Sequence, residues 1–297
     1  IADDTDALQT LIDSKKGDIH LPKGTYKITR SLILNLDTLG YTSLIGTGTA
    51  KLLMTGEGPA LKVIGTHGGT AAPASVKPNV WEKQRFPMIS GIEIVGGHPN
   101  ADGIQASETM FLTIRAVSIR ECRHGIHLVK RNRNVVISDC HLYANRGIGI
   151  FYDEVNLHQS NITGSHISYC EGGGVVCKGG EVRNVHIGNC DIEGNMKKDG
   201  PASANILIDC QGGSTAEVAI TGCTIQHSNL KGAANIRILG EGNGINKGTT
   251  AKWGHVTITG NILSDVETNI ELQSCRGVTI TGNTFWMGYE HNLKVHN

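Results

Sequence analysis

Hydrophobic and polar positions alternate along the chain in short runs, and the runs recur. Val136-Ile137-Ser138-Asp139-Cys140 lines up with Val185-His186-Ile187-Gly188-Asn189-Cys190 and Val218-Ala219-Ile220-Thr221-Gly222-Cys223. Val256-Thr257-Ile258-Thr259-Gly260-Asn261 and Val278-Thr279-Ile280-Thr281-Gly282-Asn283 continue the series. The anchors Ile114, Ile137, Ile162, Ile187, Ile220, Ile258 and Ile280 are separated by 23, 25, 25, 33, 38 and 22 residues. A period of two within each run predicts a strand. A second strand follows a two-residue turn, as at Ile262-Leu263 and Thr284-Phe285. A third, reading Asn-Ile-x-Ile or close to it, falls at 205–208, 235–238, 269–272 and 292–295.

Three strands in a turn of roughly 22 residues predict a coil in which each strand pairs in parallel with its copy one turn away, at about 4.8 Å. Stacked coils bury one continuous aliphatic core. Small polar residues fall at matching turns: Cys140, Ser165, Cys190, Cys223, Asn261 and Asn283 three past an anchor, and Cys122, Asn145, Cys170, Asn195 and Ser228 eight past one. No leucine consensus is present, and the period is too short for propeller blades. The expected fold is all-β, a single-stranded right-handed parallel β-helix (a solenoid) forming one domain over 1–297. At 1–16 the pattern changes to helical, with acids first and Leu8, Leu11 and Ile12 on one face. That helix is expected to cap the open end of the coil, where backbone groups lack strand partners.

Composition narrows the function. The chain has 297 residues, 39 of them glycine, and aromatics make up 4%. Tight turns and a small-residue core follow. Lys+Arg and Asp+Glu are both 27, so nucleic acid is not the expected partner. No apolar run reaches the roughly 20 residues of a membrane span. The eight cysteines include no C-x-x-C pair. They are read as free thiols filling the ladder. The chain starts at Ile1, inside a motif, without a signal-peptide pattern.

The run Asp3-Asp4-Thr5-Asp6-Ala7-Leu8-Gln9, followed by Leu21-Pro22-Lys23-Gly24-Thr25-Tyr26, resembles the opening segment of the pectate-lyase superfamily. That group includes polysaccharide lyases, polygalacturonase-related hydrolases, epimerases and phage tailspikes. The resemblance implies a polysaccharide or oligosaccharide substrate and an extracellular or periplasmic location. A homo-oligomer is a candidate arrangement. The reaction does not follow from the fold.

Long insertions locate the working face. Segment 65–87 leaves after one third strand and segment 239–254 after another, while 196–204 overhangs the opposite edge. Together they would make the third-strand sheet the floor of a groove. If Ile126, Ile148, Val175, Ile206, Ile236 and Ile270 point inward, the next residues point out. They read His127, Gly149, Val176, Leu207, Arg237, Glu271 and Lys294. The next outward column reads Val129, Phe151, Lys178, Asp209, Leu239, Gln273 and His296, with Asp153 beyond Phe151. The catalytic candidates are Asp209, Lys178, Asp153 and His127. The substrate-binding candidates are Asp102, His124, Arg146, Arg237, Glu271 and Trp81.

Asn100-Ala101-Asp102-Gly103-Ile104 resembles the Asn-Thr-Asp-Gly-Ile motif of polygalacturonases, and Arg237-Ile238-Leu239 resembles their Arg-Ile-Lys without the Lys. Where that family places further acids, this chain has Arg123-His124-Gly125-Ile126 and Asn145-Arg146-Gly147-Ile148. Asp102 therefore carries over as a groove residue, and the hydrolytic mechanism does not. His or Lys as base, with Arg on a carboxylate, suits a lyase or epimerase acting on an anionic glycan. Asp153 and Asp209, about 9–10 Å apart at the backbone, suit an inverting hydrolase. A non-catalytic, tailspike-like glycan binder would use the same groove. Lys178 with Asp209, and Arg237 with Glu271, also read as ordinary ion pairs. Calcium is a candidate ligand through Asp153, Glu154 and Asp209, without a fixed spacing that demands it.

Overall fold

The computed structural model describes residues 2–210, 212–240, 254–275 and 277–296. One coil shows the plan. Its first strand is Thr113–Arg115, its second Ser118–Arg120, and its third opens the long strand Ile126–Ser138. That long strand bends and ends as the first strand of the next coil. Ile148–Thr163 does the same one rung on. The bends fall at residues with positive φ, Lys130 and Asn134 in one rung and Glu154 and Gln159 in the next.

Neighbouring rungs pair in parallel. The anchors Ile114, Ile137, Ile162, Ile187, Ile220, Ile258 and Ile280 stand in one unbroken register. The first six are at most 1% exposed. Burying each such side chain is worth about 1.5–3 kcal/mol. Period-2 alternation was therefore sufficient to find these anchors. Two residues past each anchor the backbone turns with positive φ, at Ala116, Asp139, Gly164, Asn189, Gly222, Gly260 and Gly282. The left-handed backbone is the requirement of this corner, and the recurrent glycine of the Ile-Thr-Gly runs meets it without strain.

The polar ladder lies next to these turns. The Cys122 N–H donates to Asn145 Oδ1 at 3.0 Å, and the Cys170 N–H to Asn195 Oδ1 at 3.0 Å. Asn205, Asn235, Asn269 and Asn292 pass hydrogen bonds from rung to rung at 2.8–2.9 Å. All eight cysteines are free, and seven are buried. At the start of the chain, the helix Thr5–Asp13 buries Thr5, Leu8 and Ile12. Asp3 Oδ1 accepts from the Thr5 N–H at 3.0 Å, and the Asp4 N–H donates to the Lys27 carbonyl at 2.8 Å. These bonds fasten the helix to the first coil.

Candidate functional site

The third strands form a parallel sheet through Ala101–Met110, Ile126–Ser138, Ile148–Thr163, Gly173–Lys178, Ala204–Asp209, Ala234–Leu239, Val266–Gln273 and Gly288–His296. Its inward residues run Ile104, Ile126, Ile150, Val175, Ile206, Ile236, Ile270 and Leu293. Ile150, and not Ile148, is the partner of Ile126. The two candidates share parity, so alternation alone does not separate them. Space does. Gly103, Gly125, Gly149 and Gly174 form a ladder in which a Cβ would strike the next rung's carbonyl and a core Ile or Leu. Gly149, followed by Ile150, is the glycine that fits this ladder.

The corrected register moves two residues. Phe151, rather than Gly149, sits beside His127 in the first outward column, and Asp153 enters the second beside Lys178. The first column reads Gln105, His127, Phe151, Val176, Leu207, Arg237 and Glu271. The second reads Val129, Asp153, Lys178 and Asp209 on successive rungs.

These residues converge around His127. Its ring stacks on Phe151 with centroids 5.2 Å apart and planes 6° from parallel. Its Nε2 lies 2.9 Å from Asp153 Oδ2, and its Nδ1 lies 3.4 Å from the Gln105 amide nitrogen. A carboxylate only accepts, so this network assigns the proton to Nε2, and the Nδ1 lone pair accepts a long hydrogen bond from the Gln105 amide. His124 stands beside both rings, at 5.3 Å from His127 and 5.2 Å from Phe151. The Ile148 N–H donates to His124 Nδ1 at 3.2 Å, so a neutral His124 carries its proton on Nε2. Burial holds this imidazole down at about 4, with His127 and Arg123 adding to the effect and Asp102 opposing it. Lys178 is exposed and makes no ion pair within 4 Å among the described residues. The arrangement thus offers a carboxylate-backed base, a neutral imidazole donor and an ammonium group along one face.

The sequence profile described as "Right handed beta helix region" matches residues 88–214. No curated protein matches the chain. Solved structures do. The ORF18 protein of Geobacillus virus E2 superposes over 99% of this chain and 56% of its own, at 14% identity and a TM-score of 0.72. Tailspike protein 2 of bacteriophage CBA120, in its enzymatically active domain, covers 99% of this chain and 44% of its own, at 14% identity and a TM-score of 0.70. The A-module of the Azotobacter vinelandii mannuronan C-5 epimerase AlgE4 covers 100% and 92%, at 15% identity and a TM-score of 0.57. The chain has the fold of a right-handed parallel β-helix. It spans about half the length of the two viral proteins.

Across this β-helix the remaining expected site residues fall apart into different roles. Asp102 is 1% exposed and does not present a free carboxylate to the outer face of the sheet. Arg123 holds both its oxygens, at 2.9 and 2.6 Å, and the His124 N–H donates to it at 3.0 Å. Its place is beneath His124, as an anchor. Arg146 reaches away to the His98 carbonyl at 2.5 Å. Arg237 and Glu271 form the ion pair anticipated as the ordinary alternative, at 2.6 Å. Glu271 also takes Lys294 and His296, both at 3.1 Å. Burial would raise this carboxyl, but Arg237, Lys294 and His296 bring it to about 2. Arg237 additionally donates to the Gly232 carbonyl at 2.6 Å. That step of the floor is a closed network.

Trp81 lies around the corner from His127. Its ring packs on Phe111 at 5.9 Å, within a small cluster of Val76, Val80 and Met110. Segment 65–87 is itself a fold of short turns, Pro73–Ser75 and Val80–Gln84. It touches the floor's edge where Arg131 donates to the Gly69 carbonyl at 3.1 Å. Arg133 is 1% exposed and braces the bend through the Asn132 and Asn156 carbonyls, both at 2.8 Å. On the opposite edge, Ser203 at the end of 196–204 accepts from Arg237 at 3.4 Å. Most of the expected loop at 239–254 lies outside the described residues. Among the described residues no group of three His, Cys, Asp or Glu side chains is placed to hold a metal ion. Phe151, Gln105 and Arg123 were missed from sequence. The first was legible in the doubled Gly147-Ile148-Gly149-Ile150, the others only in three dimensions.

Proposed function

We propose that the chain binds a polysaccharide along the third-strand sheet and removes the proton beside a uronate carboxylate, as a lyase or epimerase does. The observation that carries this reading is the His127–Asp153 pair at 2.9 Å, with Lys178 one rung on from Asp153. Once substrate displaces the long contact from the Gln105 amide, His127 Nδ1 takes the C5 proton. Asp153, on the far nitrogen, stabilises the imidazolium that forms. Lys178 and the His124 Nε2–H face the uronate carboxylate and offset the charge that builds on it. A neutral His124 is the right donor there, because it brings no competing positive charge to His127. Expulsion of the 4-linked oxygen then gives an unsaturated sugar, whereas return of a proton on the opposite face gives the epimer. The fold shared with the epimerase module is compatible with this class of chemistry.

One geometric fact favours a second reading. Asp153 and Asp209 occupy one outward column two rungs apart, about 9–10 Å at the backbone, which leaves room for the water of an inverting hydrolase. A panel of mannuronate, guluronate and galacturonate polymers separates the two. The lyase reading expects ultraviolet absorbance from unsaturated ends, and the epimerase reading expects a changed anomeric proton spectrum. Both expect His127→Ala and Asp153→Asn to lower turnover by about 10²-fold or more. Reducing ends without unsaturation, abolished by Asp209→Asn, would transfer the assignment to hydrolysis. Glycan binding with no product of any kind would make the chain a binding module.

A further inference from the structure

The corner that precedes the first strands carries a second constellation, away from the charged floor. Phe86, Phe111, Asn134 and Gln159 are successive corner residues, one per rung, and all four have positive φ, between 54° and 65°. With Thr113, Val136 and Asn161 they line a cavity of about 280 Å³. No charged side chain lines it. Phe86 is 52% exposed. Its position is fixed from behind: Arg85 lies over the Tyr41 ring at 5.0 Å, and the Tyr41 hydroxyl donates to the Trp81 carbonyl at 2.7 Å. Trp81 in turn braces Phe111. Asn134 Oδ1 is buried and has no hydrogen-bond partner. The amides of Gln159 and Asn161 are exposed and make no hydrogen bond to the described residues. Unpartnered buried acceptors are rare in folded proteins, and each asks what would satisfy it.

We infer that this corner is a binding site for an uncharged oligosaccharide, separate from the floor. A sugar ring has an apolar C–H face, which an aromatic side chain covers, and an edge of hydroxyls, which side-chain amides read as both donors and acceptors. Phe86 and Phe111 supply the first surface. Asn134, Gln159 and Asn161 supply the second, spaced by the rung repeat of about 4.8 Å. Asn134 Oδ1 is buried and unpartnered in the protein, and turning the side chain outward lets it accept from a ligand hydroxyl. The lack of charge distinguishes this ligand from the anionic glycan proposed for the floor. The inference rests on this lining and not on the floor's chemistry.

The test is a microarray of uncharged glucose, galactose, mannose and N-acetylhexosamine oligomers, probed with the full chain, followed by titration of the best ligand. Phe86→Ala should weaken binding about 10-fold or more by removing the stacking face. Asn134→Gly should do the same through the lost acceptor, and glycine accepts the positive φ without strain. Both variants should keep the wild-type melting temperature and any activity on polyuronates. His127→Ala should bind the uncharged ligand as tightly as wild type. An array without an uncharged ligand would overturn the inference. So would a ligand lost in His127→Ala but kept in Phe86→Ala. Self-association that disappears in Phe86→Ala would overturn it too, by giving the patch to a second copy of the chain.

Discussion

His124 is the residue at which environment most changes chemistry. Its pKa lies near 4, against 6.5 for a free imidazole, mainly because it is buried between Phe151, His127 and the strand. Between those values the unfolded chain binds a proton that the folded chain does not. Stability therefore rises with pH through this window and is lost as pH falls from about 6.5 towards 4. The expected outcome is a melting temperature that drops on acidification through that range, with a shallower drop in His124→Gln. Proton NMR should show the His124 ring unprotonated above pH values near 5. Identical acid profiles for the two proteins would mean that the ring is charged in the folded state. Asp102 matters at this same scale: with both oxygens on Arg123, it fixes the strand start that places His124.

At the scale of the element, the corner two residues past each anchor controls whether a rung can form. Seven described rungs turn there with positive φ, and glycine, asparagine, aspartate and alanine all occur. Gly282 is the clean test, since a Cβ there would meet nothing closer than 3.8 Å. Any loss is then conformational rather than steric crowding. Gly282→Val should cost about 1–2 kcal/mol, the penalty of a left-handed backbone for a branched residue. Gly282→Asn should cost much less, as Asn189 already occupies the equivalent corner at φ 52°. Urea titrations of the two variants check this, and equal midpoints would mean that the corner relaxes. The glycine ladder of the floor behaves differently. At Gly149 the neighbouring backbone and the Ile167 side chain leave no room, so even alanine there should force the strands apart.

At the scale of the whole molecule, the solenoid is held by a core of aliphatic stacks with thiols and amides at the turns. The thiols have no disulfide role. Burial pushes Cys140, Cys170 and Cys210 up to about 11, so they stay protonated and slow to react in the folded state. Alkylation in denaturant without reductant should label eight cysteines by mass, while native labelling should begin at Cys275, which is only partly buried. Three or four disulfides in that experiment would contradict the ladder. The same architecture explains how two distinct surfaces coexist. Each sheet presents its own columns of outward residues, and side chains on one face do not meet those on another.

The sequence by itself determined the repeat, the anchors, the inward and outward parity and the cap. Each of these is set by short-range periodicity, which a reader can count: Ile220 must sit in the core because Val218 and Ile258 repeat its environment. It also set Lys178 and Asp209 side by side on adjacent rungs. Only the tertiary structure decided between Ile148 and Ile150, put Phe151 under His127, buried Arg133 and turned Trp81 to another face. The reason is physical. A two-residue change in turn length preserves parity but shifts every contact between rungs, and the choice is made by whether a Cβ fits against a neighbouring carbonyl. Charge partners such as Asp102 with Arg123 lie about one coil apart, so their pairing depends on that same register.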